Sequence, residues 1–185
     1  MAYTTINKST DYFNTKLYTG TGSSLALTGV GHQPDMVWQK VRSTTSSHRI
    51  TDAVRGVGQI VYPNDNAQQS AENAVTAFGT DGFTVGTGNG NAYNASGATY
   101  VGWSWKAGGG QGSSNTDGTI NTTYTSVNTT AGISISQYTG TGSAATIGHG
   151  LGTVPQVMIV KNLSQSGHWI VYHHRIDDVA SGGSN

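Results

Sequence analysis

The sequence predicts an all-β protein built as two related units in tandem, and three observations predict it. Short apolar runs of strand length recur along the chain, each closed by Gly, Asn or Asp-Gly. Glycine supplies 27 of the 185 residues, while Lys, Arg, Asp and Glu together make up 10%, against typical shares of ~7% and ~25%. Glycine admits positive φ, and short polar side chains bond to nearby backbone, so this composition favours turns and extended chain over helix. Third, the hexapeptide YTGTGS stands at residues 18–23 and again at 138–143, 120 positions later. A spacing that long denotes a tandem domain, because solenoid units run to ~20 to 50 residues.

Sliding the chain by 120 residues extends the match beyond the hexapeptide. SSLALTGVGHQPDMVWQK (residues 23–40) lies over SAATIGHGLGTVPQVMIVK (residues 143–161) once the second copy is granted one extra residue. Gly29 then meets Gly150, Gly31 meets Gly152, Pro34 meets Pro155 and Lys40 meets Lys161; further on, His48 and Ile50 fall opposite His168 and Ile170. Between the copies, KAGGGQGSSNTDGT (residues 106–119) has no apolar periodicity and reads as a flexible connector. The expected organisation is a first module over residues 1–108, a linker over 109–118 and a second, homologous module over 119–185. The second copy reaches Asn185 with nothing answering to AVTAFGTDGFTVG (residues 74–86) or YVGWSWK (residues 100–106) of the first. A layered fold short of its final third has strands without neighbours and an apolar face without a cover. The expectation is therefore that this sequence is the amino-terminal part of a longer protein, or that another chain completes the second module.

Taken in order, the strand candidates are MVWQKV (36–41), GQIVY (58–62), FTVG (83–86), YVGWSW (100–105), ISISQY (133–138), VMIV (157–160) and HWIVYHH (168–174). All are rich in β-branched and aromatic residues, and Asp-Gly pairs at 81–82 and 117–118 punctuate them. Such a series suits a β-sandwich or a barrel. AQQSAENAV (67–75) is long enough for two helical turns, although its Asn-rich flanks equally suit a loop. In YVGWSWK, Val101, Trp103 and Trp105 share one side of an extended chain and Tyr100, Gly102 and Ser104 the other. The tryptophan side is expected to face the core, since burial of large aromatics is the main stabilising contribution on offer; a sugar-stacking surface is the alternative.

Nine basic and nine acidic residues cancel, so no summed field draws in nucleic acid or an anionic membrane. Without cysteine there is no disulfide and no thiolate metal site. The first twenty residues hold no signal-peptide core and no run approaches the ~18 apolar residues of a membrane span. The expectation is a soluble product of the cytoplasm, without membrane insertion.

His48, Arg49, Asp52 and Arg55 form the densest charged group. As a ligand site, two guanidinium forks would hold an acidic sugar or a phosphate. As a structural device, the Asp52 carboxylate would tie both arginines across a turn. Trp169, which stands in the second copy where the first has this pattern, completes the candidate ligand-binding set. Period-two geometry sends His168 and His174 to one face and His173 to the other, and no HExxH, His-x-His or cysteine partner supports a metal. Glu72 is the sole glutamate and no facing carboxylate pair stands out for glycoside hydrolysis. The glycine strings GTGSS and GTGNGN (86–91) lack the Lys-Ser/Thr of a nucleotide loop and read as turns. The reading is a protein without catalytic residues, metal or cofactor.

FNTKLYTGTGSSLALTGVGHQPDMVWQKVRS, followed by SHRITDAVRG, DGFTVG and YVGWSWKAGGG, resembles a β-sandwich domain of the concanavalin or laminin-G type. Such domains occur, often in tandem, in tail-fibre-like and other virion structural proteins of marine bacteriophages, cyanophages among them. TIGHGLGTVPQVMIVKN and HWIVYHH of the second copy resemble the same family. The resemblance implies tandem antiparallel β-sandwich modules (jelly-roll, concanavalin-like), the second incomplete, in a phage tail fibre or appendage concerned with host attachment. It further implies a virion location after assembly in the host cytoplasm, other virion proteins as partners, a homo-oligomer with a trimer favoured, and a host surface glycan as the ligand. The alternatives are a capsid decoration or fibre-shaft spacer without receptor binding, and a free carbohydrate-binding module. The second copy departs from the first in lacking the HR-x-x-D-x-x-RG pattern, which confines any role of that pattern to one module.

Overall fold

A computed structural model describes residues 6–88 and 90–175. The outer ends of the two expected modules, residues 1–5 and 176–185, and position 89 within GTGNGN lie outside the described residues. After a 3-10 turn at Ser9–Asp11 the described chain is all strand and loop: β1 Phe13–Thr19, β2 Leu25–Thr28, β3 Met36–Val41, β4 Arg49–Asp52, β5 Gln59–Ile60, β6 Ser70–Ala71, β7 Ala77–Gly79, β8 Gly82–Val85, β9 Thr99–Trp105, β10 Tyr124–Asn128, β11 Ile133–Gln137, β12 Val157–Val160 and β13 Ile170–His173. Among the described residues every ladder is antiparallel, with one isolated parallel bridge between Ile120 and Ile147, and no sheet closes into a barrel.

A four-stranded sheet in the order β1-β9-β3-β4 and a three-stranded sheet in the order β2-β8-β7 organise the first half. They meet across one core, to which the larger sheet gives Tyr18, Val37, Val41 and Tyr100, and the smaller gives Leu27, Phe83 and Val85. Tyr18 and Tyr100 stack with centroids 5.0 Å apart. Burial pushes the Tyr18 phenol well above its ordinary pKa, and its hydroxyl donates to the Tyr93 carbonyl at 2.7 Å. A second cluster of Ile60, Ala74, Ala92 and Tyr93 lies beside the first.

Strand β9 faces the core with the phase opposite to that expected. Tyr100, Gly102 and Ser104 are buried, whereas Trp103 and Trp105 are half-buried on the outer face. Close approach decides it: a Cβ at Gly102 would stand 2.9 Å from the Phe83 ring, so the missing side chain makes room for an aromatic from the opposite sheet. Residues 67–75 form no helix. Ala74 and Val75 are both fully buried, in different clusters, a placement that extended chain achieves and one face of a helix does not.

The segment expected as a flexible connector is tied down. The fully buried Asp35 carboxylate accepts backbone N–H groups from Ala107 (2.7 Å), Gly109 (2.9 Å) and Gly110 (2.6 Å). Charge-assisted bonds of this kind are roughly twice as strong as neutral ones. Beyond it, Ser113 and Thr125 bridge, and Ser126 Oγ accepts the Gly108 N–H at 2.9 Å.

The second half carries two-stranded sheets, β10-β11 and β12-β13, and several of its local features match those of the first. Gly22 and Gly142 both have φ of 77°. Gly29 (77°) matches Gly150 (70°) and Gly31 (91°) matches Gly152 (70°). Residues with a Cβ rarely adopt this region, which is why the copies keep these letters. Strand β11 starts 120 residues after β1, and β12 and β13 start 121 after β3 and β4. The hairpins share a register: Met36 opposes Asp52 as Val157 opposes His173, and Gln39 opposes Arg49 as Val160 opposes Ile170. The extra residue therefore persists through the hairpin, and Trp169, not His168, corresponds to His48. The environments differ sharply. Tyr18 is 9% exposed and Tyr138 39%; Ala95 and Tyr100 crowd Gly20, while nothing approaches a Cβ at Gly140.

Candidate functional site

Three of the four clustered candidates enter two separate ion pairs, one of them with Glu72 from outside the cluster, which corrects the expectation that Asp52 ties both arginines. Arg55 Nε donates to Asp52 Oδ2 at 2.6 Å, and its backbone N–H donates to Oδ1 at 2.9 Å. Arg49 Nε donates instead to Glu72 Oε2 at 2.6 Å. Both ion pairs are almost fully shielded from solvent. Burial leaves each charge dependent on its partner, because an ion removed from water needs its hydrogen bonds supplied by the protein. They are supplied: Arg55 Nη2 donates to the Ile50 carbonyl at 3.0 Å, Arg49 Nη1 to the Ser47 carbonyl at 2.8 Å, and the Tyr62 hydroxyl to Glu72 Oε1 at 2.6 Å. The Arg49 guanidinium also lies over the rings of Tyr62 and Tyr93, at 5.5 and 5.8 Å. Burial first, and the neighbouring Glu72 after it, hold both phenols above their usual pKa.

His48 belongs to a different surface. Its Nδ1 accepts the Trp38 indole N–H at 2.9 Å, which requires that nitrogen unprotonated, and burial followed by the Lys40 charge lowers its pKa. Trp38 stands edge-on to Trp103 at 6.1 Å and to His48 at 5.8 Å, and Phe13 packs against Trp105 at 5.0 Å. Register places Thr15, Trp103, Trp38 and Ile50 in one row across the outer face of the four-stranded sheet. Because β9 turns its indoles outward, this face is an aromatic platform, the kind of surface on which the C–H faces of sugars stack.

Trp169 lies on the far side of the loop that His48 touches. Its indole N–H is shared between the Tyr62 and Asp65 carbonyls at 3.0 and 3.1 Å, while Asn64 Oδ1 accepts the His48 backbone N–H at 2.8 Å. A depression of about 300 Å³ opens here, lined by Pro63, Asn64, Asp65, Asn66, His168 and Trp169. Nearby, Lys161 Nζ donates to the Asn66 and Gly167 carbonyls at 3.1 and 2.9 Å. His48, Arg49, Arg55 and Trp169 thus bond to residues between 62 and 72, Asp52 is held by Arg55, and the arginines are turned inward. His173 and His174, expected on opposite faces, stack at 5.1 Å because β13 ends at His173 and a turn follows. Among the described residues no three His, Asp or Glu side chains converge as a metal site.

Sequence reasoning missed Glu72, which lies 23 residues from Arg49; its being the sole glutamate was the available signal. The family model "Domain of unknown function (DUF7483)" matches residues 8–182. The chain belongs to the DUF7483 family. The DUF7483 match runs unbroken through both copies of the repeat and the segment between them. No curated protein and no solved structure matches the chain.

Proposed function

We propose that this DUF7483 chain is a structural component of a bacteriophage particle, a tail fibre or comparable appendage made of tandem antiparallel sandwich modules and serving host attachment. One observation supports the reading: three glycine pairs 120 or 121 residues apart hold matching positive φ, and two hairpins 121 residues apart share one register. Repetition of a scaffold, with the charged groups of the densest cluster consumed by internal pairing, suits mechanical display better than turnover. The particle assignment comes from the resemblance of the quoted strings to virion sandwich domains. The partners in this reading are other virion proteins and further copies of the chain, a trimer being favoured.

Contact with a host glycan falls to the aromatic surfaces, the Trp38–Trp103 platform beside His48 and the depression at Trp169. Indole faces and the amides of Asn64 and Asn66 suit the C–H faces and hydroxyls of neutral sugars. A fibre-shaft spacer without receptor contact is the second reading, favoured by the inward-turned arginines. Immunogold labelling of particles with antibody against the first half tests the assignment. Gold on tail appendages is expected; gold on heads would make the protein a decoration, and unlabelled particles from a lysate containing the protein would refute the virion role.

A further inference from the structure

Trp38 lies on the interior strand β3 of the four-stranded sheet, half-buried on the aromatic face, with Trp103 of β9 edge-on beside it. One polar bond orients its indole: Nε1–H donates to His48 Nδ1 at 2.9 Å, and among the described residues it has no second acceptor. The His48 backbone is fixed separately, its N–H donating to Asn64 Oδ1 at 2.8 Å, so the imidazole is the adjustable part of the pair. An acceptor at Nδ1 puts the proton of neutral histidine on Nε2. Protonation makes both nitrogens donors, and the indole N–H then meets another N–H instead of a lone pair.

The charged surroundings push the same way. Lys40, two residues along β3 from Trp38, opposes protonation of the ring. Among the described residues the nearby carboxylates are engaged elsewhere: Asp52 with Arg55, Glu72 with Arg49, and Asp65, next to Asn64, with the Ala67 N–H. Arg49, which follows His48, turns to Glu72, and Arg42 lies exposed just past β3.

We propose that His48 is a proton-operated positioning residue for sugar contact at this platform: neutral, it holds Trp38 in the stacking pose, and protonated, it releases the indole and the bound neutral sugar. This role rests on the reading that the Trp38–Trp103 platform meets a glycan. Stacking depends on how the indoles are presented, since the C–H face of a sugar ring gains from an aromatic surface laid against it. A neutral sugar brings no group to titrate, so pH acts on affinity through the protein. Binding confined to the neutral imidazole is complete above about pH 6.5. It weakens by about tenfold at most for each pH unit below the ring's pKa, which burial and then Lys40 lower.

The test uses the 185-residue chain and an array of neutral oligosaccharides, β-linked glucose and galactose oligomers among them, with the affinity of each bound sugar measured by calorimetry from neutral pH downward. Wild-type affinity is expected to fall in step with the His48 titration followed by NMR. His48→Asn sets an amide oxygen where Nδ1 stands, an acceptor at every pH, and its affinity is expected to stay level over the same range. His48→Leu, folded by circular dichroism, removes the acceptor and is expected to bind about tenfold more weakly at neutral pH. Level wild-type affinity through the His48 titration, a His48→Asn profile that falls like the wild type, or full-strength binding by His48→Leu would overturn the positioning role and leave the glycan reading in place. No bound sugar at neutral pH, or binding undiminished by Trp103→Ala, would remove the platform from that reading and the role of His48 with it.

Discussion

Asp81 fixes a loop with one exposed carboxylate. It accepts the N–H groups of Gly31 at 2.6 Å and Gly29 at 3.0 Å, and these bonds, with the Lys16 charge adding to them, hold its pKa below the usual carboxylate range. The lowered pKa means that its contribution is complete above about pH 4 and is lost as the pH falls through the depressed value. Asp81→Asn is therefore expected to flatten the acid limb of a thermal-melting profile, leaving the melting temperature at pH 3 closer to that at pH 6. His48 has the same sign by another cause: burial and Lys40 lower its pKa, so stability is lost as the pH falls below about 6.5 and the imidazole protonates. Intrinsic tryptophan fluorescence is expected to change as the pH falls below about 6.5 and the Trp38 bond breaks, and His48→Gln to abolish that component. Residue identities of this sort were partly legible. The positive-φ glycines declared themselves by recurring in both copies, whereas the pairing of Arg49 with Glu72 did not, because no local spacing rule links positions 23 apart.

At the scale of elements, equivalent strands in unequal surroundings allow a direct comparison. Val37→Ala is expected to cost about 2 kcal/mol through lost burial and the cavity left behind, and Met158→Ala less than about 0.5 kcal/mol, as at an exposed site. Chemical denaturation measures both. Removing Glu72 strands a guanidinium in a site almost closed to water, so Glu72→Ala is expected to cost about 3 kcal/mol or more, with Arg49→Met in that background restoring part of the loss. Strand limits were marked where apolar runs lie between turn residues, so MVWQKV is β3 and VMIV is β12, whereas β2, β4, β6 and β10 lie outside the candidate runs because their apolar stretches are too short or broken by polar residues. The facing of β9 was not. Alternation yields two faces without saying which is inner, and the answer lay in Phe83, a residue from the other sheet that fills the space above Gly102.

For the whole molecule, the central claim is that one backbone plan occurs twice, enclosed in the first half and open in the second. The matched glycine pairs were readable from YTGTGS and the letters after it, but the anchoring of residues 107–110 by Asp35 was not, since a glycine-rich run reads as free linker until its N–H acceptor is found. Residue-resolved hydrogen exchange on the intact chain tests the claim most directly, because each amide reports the free energy of the opening that exposes it. Amides of β3, β8 and β9 are expected to exchange only through global unfolding, and those of β12 and β13 at least about 100-fold faster, through local opening. Exchange in β12 and β13 as slow as in β3 would contradict the account.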